Sequence, residues 1–145
     1  MILLDTNVVS ELMRPDPDPG VIDYLDSHPD SDVWISAITV AEIRMGIDML
    51  SDGKRKTLLH NAAEQMFTED FNDRCLPFDC DAGREYARIV AQRREQGRPV
   101  SVEDAQIASV ATVGGLVLAT RNTKDFSGIS GLELINPWNA DMGKY

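Results

Sequence analysis

Short apolar runs alternate with longer amphipathic stretches along the whole chain, and that alternation limits the folds open to it. Met1 to Leu4, Asp32 to Ser36, Cys75 to Phe78, Leu116 to Thr120 and Leu132 to Ile135 read as strands. Between them, apolar residues recur at helical spacing. Helices are predicted over Val8–Met13, Val21–Ser27, Thr39–Leu50, Lys54–Phe67, Asp81–Gln96 and Ser101–Val113. Repeated βα units imply an α/β fold, a mostly parallel sheet with helices on both faces. Pro77 marks its strand as an edge, because proline cannot donate to a central ladder. Gly97 and Gly114-Gly115 supply helix stops. The 145 residues fit a single domain with a proper core. The reading places it at residues 1–138, with 139–145 as a C-terminal tail.

Composition narrows the function. A formal net charge of −10 opposes attraction of nucleic acid by the overall field, so a simple DNA-binding module is disfavoured. A nuclease that gathers carboxylates around a cation and keeps its basic residues local is not. No apolar run approaches the roughly 20 residues of a membrane span. No basic, apolar and small-residue series suggests a signal peptide, and a cytoplasmic setting is expected. Cys75 and Cys80 fit reduced thiols there. His28 and His60 have no Cys or His at ligand spacing, which argues against a zinc site.

The first strand runs into Asp5-Thr6-Asn7. In open α/β sheets, ligands bind beyond the carboxyl ends of the strands, where strand order reverses. Asp5 is therefore a candidate for chemistry, although Asp, Thr and Asn also begin helices well. Glu42 and Asp104 raise the same question. Thr39-Val40-Ala41-Glu42 and Ser101-Val102-Glu103-Asp104 both match capping boxes. Yet at roughly 100° per residue Glu42 shares a side with Ile38, Met45 and Met49. Asp104 likewise lines up with Ile107, Ala108 and Ala111. Capping accounts for each singly; it does not account for both turning toward apolar stripes. Converging carboxylates disfavour one another's ionised forms unless a cation neutralises them. An oxygen-only set favours Mg²⁺ or Mn²⁺. After the strand ending at Thr120, Asn122 and Asp125 offer a fourth ligand or simply an ordinary turn.

These motifs together resemble PIN-domain ribonucleases, the toxins of type II toxin–antitoxin pairs of the VapC kind, and FitB-like members most closely. The resemblance runs from Leu4-Asp5-Thr6-Asn7 through Ser36-Ala37-Ile38-Thr39-Val40-Ala41-Glu42, Asp104-Ala105-Gln106-Ile107-Ala108 and Ala119-Thr120-Arg121-Asn122 to Asn136-Pro137-Trp138. Each motif is short; their order and spacing give the signal. The resemblance implies a Rossmann-like three-layer architecture and a metal-dependent endoribonuclease. Asp5, Glu42 and Asp104 would be its acids and its Mg²⁺ or Mn²⁺ ligands, with Thr6 and Thr120 in support. Asn122 stands where FitB-like members carry Asp. That departure implies one tightly held ion rather than two, with Asp125 as a substitute. Arg121 and Lys124 flank the site and are the basic residues favoured for RNA. The resemblance also implies a cognate antitoxin, a small DNA-binding protein, and a homodimer. The departure at Asn122 leaves open an alternative, a catalytically idle module that binds RNA or an antitoxin. A phospho-acceptor receiver domain lacks its paired acids, acceptor Asp and late lysine here.

Overall fold

A computed structural model describes the backbone of residues 1–142 and the side chains of residues 1–139. Five parallel strands form one sheet: β1 (Ile2–Leu4), β2 (Val33–Ser36), β3 (Cys75–Leu76), β4 (Val117–Ala119) and β5 (Leu134–Ile135), in the order β3-β2-β1-β4-β5. β1 is central, pairing Ile2 with Val33 on one side and Leu4 with Ala119 on the other. The chain winds outward through β2 to β3, returns to the far side of β1 at β4, and winds outward again to β5. Strand order therefore reverses between β1 and β4, the position at which a doubly wound sheet opens a crevice.

The helices are α1 (Thr6–Leu12), α2 (Pro19–Asp26), α3 (Ala37–Asp48), α4 (Lys54–Gln65), α5 (Cys80–Glu95), α6 (Val102–Gly114) and a single turn, α7 (Thr123–Phe126). They cover both sheet faces. One core joins Leu4, Val8, Val9, Ile35, Ile43 and Ile47; the other joins Leu3, Ile89, Ile107, Ala111, Leu118 and Phe126. Leu3 and Leu4 thus serve opposite cores, as strand alternation requires. Cys75-Leu76 lies at the edge, and Gly97 and Gly115 take positive φ at the ends of α5 and α6.

Three boundaries differ from the sequence expectation. The box at Thr39–Glu42 is not a cap. Ser36 is the N-cap of α3, its Oγ accepting from the Thr39 amide, so the helix begins at Ala37 and Glu42 lies beyond its first turn. The side of α3 that carries Met45 and Met49 is not core either: these residues are 58% and 78% exposed, while Thr39, Ile43 and Ile47 face inward. The helix from Lys54 ends at Gln65, and Met66–Asp70 continue it as a π turn. Pro137–Met142 form a 3₁₀ segment packed on α2 rather than leaving the fold at Trp138. The proposed tail, 139–145, begins inside that segment, and its last three residues lie outside the described ones.

Candidate active site

Asp5 ends β1 and caps α1. Its Oδ1 accepts from the Thr6 amide at 2.8 Å. Its Oδ2 accepts from the Thr120 hydroxyl at 2.7 Å and from Asn7 Nδ2 at 3.3 Å. The residue is 4% exposed. Asp5 both caps the helix, through one oxygen, and lines a cleft with its carboxyl. Thr120, at the end of β4, crosses the strand reversal to reach Asp5 and accepts the Asn122 amide at 3.0 Å. Neighbouring strands β1 and β4 therefore fix the carboxylate from two directions.

Glu42 is held from a third element. Thr6 Oγ1 donates to Glu42 Oε1 at 2.8 Å and lies 2.9 Å from Thr39 Oγ1. Since a hydroxyl has one proton, Thr39 supplies the proton between the two threonines. Thr39, Thr6 and Glu42 form a directed relay, and Glu42 Oε2 is left without a donor among the described residues. Asp104 stands in the first turn of α6, capped by Ser101, which accepts the Asp104 amide at 3.2 Å.

These three acids line one cleft of about 530 Å³ with Thr6, Asn7, Ser10, Glu11, Arg14, Arg121, Asn122 and Trp138. Burial pushes the Asp5 carboxyl up to about 6; the Thr120 and Thr6 hydrogen bonds oppose this, and the charges of Asp104 and Glu42 add to it. Asp104 is raised as well, by burial first, with Ser101 opposing and Asp125, Glu42 and Glu103 adding. The Glu42 charge raises both Asp5 and Asp104, and Asp104 raises Asp5, so the three acids share one electrostatic site.

Asn122 lines the cleft; Asp125 does not, although its charge is felt by Asp104. Lys124 lies in a separate depression with Thr123, Ser127 and Leu132. Arg121 lines the acid cleft, its guanidinium 4.8 Å from the centroid of Trp138. Sequence reasoning missed Asn7, Glu11, Arg14 and Trp138. Asn7 had a signal in its place beside Asp5, and Trp138 in its place in the Asn136-Pro137-Trp138 motif. Glu11 looked like an ordinary helix-surface acid, yet it is 5% exposed and accepts from Arg14 and the Asp18 amide.

The PIN-domain model matches residues 2–132, which contain every acid described above. The chain belongs to the PIN-domain family. Among its relatives, this PIN domain is 42% identical to the VapC ribonuclease Y4jK of Sinorhizobium fredii over 95% of the chain and 98% of the relative. It is 42% identical to the toxin FitB of Neisseria gonorrhoeae over 96% and 99%. Among solved structures, it is similar to the FitAB complex bound to an IR36 DNA fragment, with TM-score 0.86, 42% identity and coverage of 95% and 96%. Other solved neighbours include toxin–antitoxin complexes. The expected fold, a parallel sheet between helical layers, is the one this PIN domain adopts. No helix among the described residues is long and apolar enough to cross a membrane.

As the side chains stand, no three His, Cys, Asp or Glu residues among those described are close enough to cage one ion. The donors present are nonetheless hard oxygens, one of them on Glu42 without a partner among the described residues, and burial first, then neighbouring carboxylates, disfavours the charged forms of Asp5 and Asp104. Mg²⁺ keeps several waters and takes only one or two direct carboxylates. A hydrated Mg²⁺ or Mn²⁺ therefore fits the donor set.

Proposed function

We propose that this PIN domain is a divalent-metal-dependent endoribonuclease, the toxin of a toxin–antitoxin pair acting in the cytoplasm. The supporting observation is the convergence of Asp5 from the end of β1, Glu42 from α3 and Asp104 from the first turn of α6 on one cleft at the strand reversal. The ribonuclease and toxin names of relatives 42% identical over nearly the whole chain point the same way.

Asp5, Glu42 and Asp104 would hold the ion, directly or through water, with Asn122 as a neutral fourth donor. When bound, the ion polarises a phosphodiester oxygen and lowers the pKa of a coordinated water. The chain's own residues do the rest. Thr120 holds Asp5 Oδ2 in place, and the Thr6 amide engages Oδ1. Thr6 ties up Glu42 Oε1 and leaves Oε2 to accept a proton or hold the hydrated ion. Burial excludes bulk water around Asp5, which strengthens every charge interaction there.

The partner of this proposal is a small DNA-binding antitoxin with a basic segment, whose charge complements the acid cleft. A homodimer is its second assembly. Met45, Met49 and Leu58 on α3 and α4 are 58%, 78% and 60% exposed and are the residues proposed for its interface. The idle-module reading is favoured by one observation, the neutral Asn122 in the cleft lining.

The test is cleavage of structured RNAs by the purified chain with Mg²⁺ or Mn²⁺, beside an Asp5→Asn variant. The native chain should cut, EDTA should stop it, and the variant should be inactive. Equal cutting by both proteins, or indifference to EDTA, would overturn the carboxylate mechanism. RNA binding without cutting would favour the idle module.

A further inference from the structure

Glu42 lines two cavities. One is the acid cleft; the other is a smaller space of about 350 Å³ between α3, α6 and Phe78, the aromatic residue beyond β3. Its size falls at the lower end of the roughly 300–1,000 Å³ common for small-ligand pockets. The walls are apolar. Ala37, Ile38, Ala41 and Met45 supply the α3 side, and the two alanines, one turn apart, leave the room. Phe78 supplies an aromatic wall. It is 36% exposed, and its ring stands edge to face against Tyr86 with centroids 6.1 Å apart. That contact fixes the plane of the Phe78 ring and leaves part of it open.

Two polar side chains enter this apolar space, Glu103 and Gln106. They stand three residues apart in α6 and share one helix face. The Gln106 carbonyl accepts the Ser109 hydroxyl at 2.6 Å. Among the described residues, neither the Gln106 side-chain amide nor the Glu103 carboxylate has a partner. No Lys, Arg or His lines the cavity, so it is not built to grip a phosphate. It adjoins the acids twice, through Glu42 and through the sequence neighbours Glu103 and Asp104.

A flat ring with hydrogen-bond donors along one edge suits this set. Unpaired bases are recognised by stacking on aromatic side chains and by hydrogen bonds along their Watson–Crick edges. A carboxylate only accepts. Guanine alone among the four bases offers it two adjacent donors, N1–H and the 2-amino group, and its O6 takes a proton from the Gln106 amide. Adenine and cytosine set a ring-nitrogen acceptor beside their amino group, and uracil flanks its one N–H with carbonyls. A second copy of the chain fits less well, because two such cavities meeting would set Glu42 and Glu103 of one against those of the other.

We propose that the cavity between α3 and α6 is a base-reading subsite for guanine, with Phe78 as its stacking wall and Glu103 and Gln106 as its readers. The proposal rests on the ribonuclease reading for the identity of the polymer, and deepens it by naming the base beside the cut.

The main experiment measures binding, not turnover. The chain, labelled at its methionine and isoleucine methyl groups, is titrated in EDTA with the four nucleoside 5′-monophosphates and with inosine 5′-monophosphate. These ligands share sugar and phosphate, so any difference between them reports the base. Guanosine monophosphate should shift the Met45 and Ile38 methyl signals saturably, and more tightly than the other three by roughly tenfold, the effect of one charge-assisted hydrogen bond. Inosine monophosphate, which lacks the 2-amino group, should bind several-fold more weakly. Glu103→Gln lies on the surface and should keep the melting temperature while losing roughly tenfold in guanosine affinity. Phe78→Leu should weaken all four nucleotides several-fold, as lost stacking does. Short oligoribonucleotides with a single guanine, incubated with the native chain and Mg²⁺, should be cut beside it, and Glu103→Gln should spread the cuts. Equal methyl shifts for all four nucleotides, or guanosine affinity unchanged in Glu103→Gln, overturns the inference. So does a loss of self-association in sedimentation velocity without a loss of nucleotide binding, which would assign the cavity to a second copy. If RNA is cut without regard to guanine and the methyl signals do not move, the inference fails alone. If guanosine monophosphate binds here and no RNA is cut, the ribonuclease reading fails alone.

Discussion

At Asp5 a carboxyl is buried, capped and crowded by two other acids, and its titration carries a stability consequence. Its pKa lies near 6 in the folded chain against an ordinary value of 3.8. A raised acid favours the folded state while protonated. That contribution is complete below about 4 and is lost as pH rises through about 6. The cost above pH 7, without divalent ions, is on the order of 3 kcal/mol. Asp5→Asn removes it. The variant should therefore melt at higher temperature than the native chain in EDTA at pH 8, and show no advantage at pH 4. Melting curves at the two values check this, and the opposite pH trend would refute it. Adding Mg²⁺ at about 100 times its Kd should return roughly 2.7 kcal/mol to the native chain and little to the variant. Thr120 works in the other direction, donating to the ionised form. Thr120→Val should move the Asp5 titration upward and cost about 1–2 kcal/mol near neutral pH, as read by NMR titration and urea unfolding. That Asp5, Glu42 and Asp104 meet was legible from their places in the sequence, and they line one cleft. The part played by Glu11 and its partner Arg14 was not, because nothing local distinguishes a buried helix acid from an exposed one; distant packing decides it.

Among the elements, α3 shows how a local pattern can mislead. Thr39 and Glu42 have the spacing of a capping box, but Ser36 ends β2 and takes the cap itself. The three-residue shift moves Glu42 off the first turn and gives Thr39 a different partner, the Thr6 hydroxyl 33 positions away. A sequence window cannot contain that partner. Ser36→Ala should cost about 1 kcal/mol as a lost cap and loosen Glu42; chemical denaturation and the pH profile of cleavage would register the two effects separately. The strands were easier, because each is a short apolar run next to a turn signal, and their alternation with helices dictates a parallel sheet. The π turn at Met66–Asp70 had no such mark. A less visible element is the strap at the far end of β4. Arg93, 3% exposed, donates to the carbonyls of Arg98 and Ser127 at 2.6 and 2.7 Å, tying the end of α5 to the residues after α7. Arg93→Met should cost roughly 2–4 kcal/mol by orphaning both carbonyls. If urea unfolding shows less than 1 kcal/mol, that strap is not what holds the turn after Asn122.

For the molecule as a whole, exposed apolar surface on α3 and α4 makes its own prediction. Met49→Lys and Leu58→Lys together should convert the proposed dimer to a monomer in sedimentation velocity without lowering the melting temperature of the monomeric fold. Dimers that persist at the same concentration would place the interface elsewhere. The hydrogen bond between Asp5 and Thr120 spans 115 residues of sequence, and the central strand is completed only when β4 pairs with it. This has a consequence for synthesis. A chain emerging from the ribosome carries Asp5 first, then Glu42, yet it has no cleft floor until the last quarter of the protein is made. Pairings this remote are also slow to form. On the ribonuclease reading, the nascent polypeptide should leave the RNAs beside it uncut until the sheet is complete. A fragment ending at residue 116 should show neither cleavage nor a cooperative thermal transition.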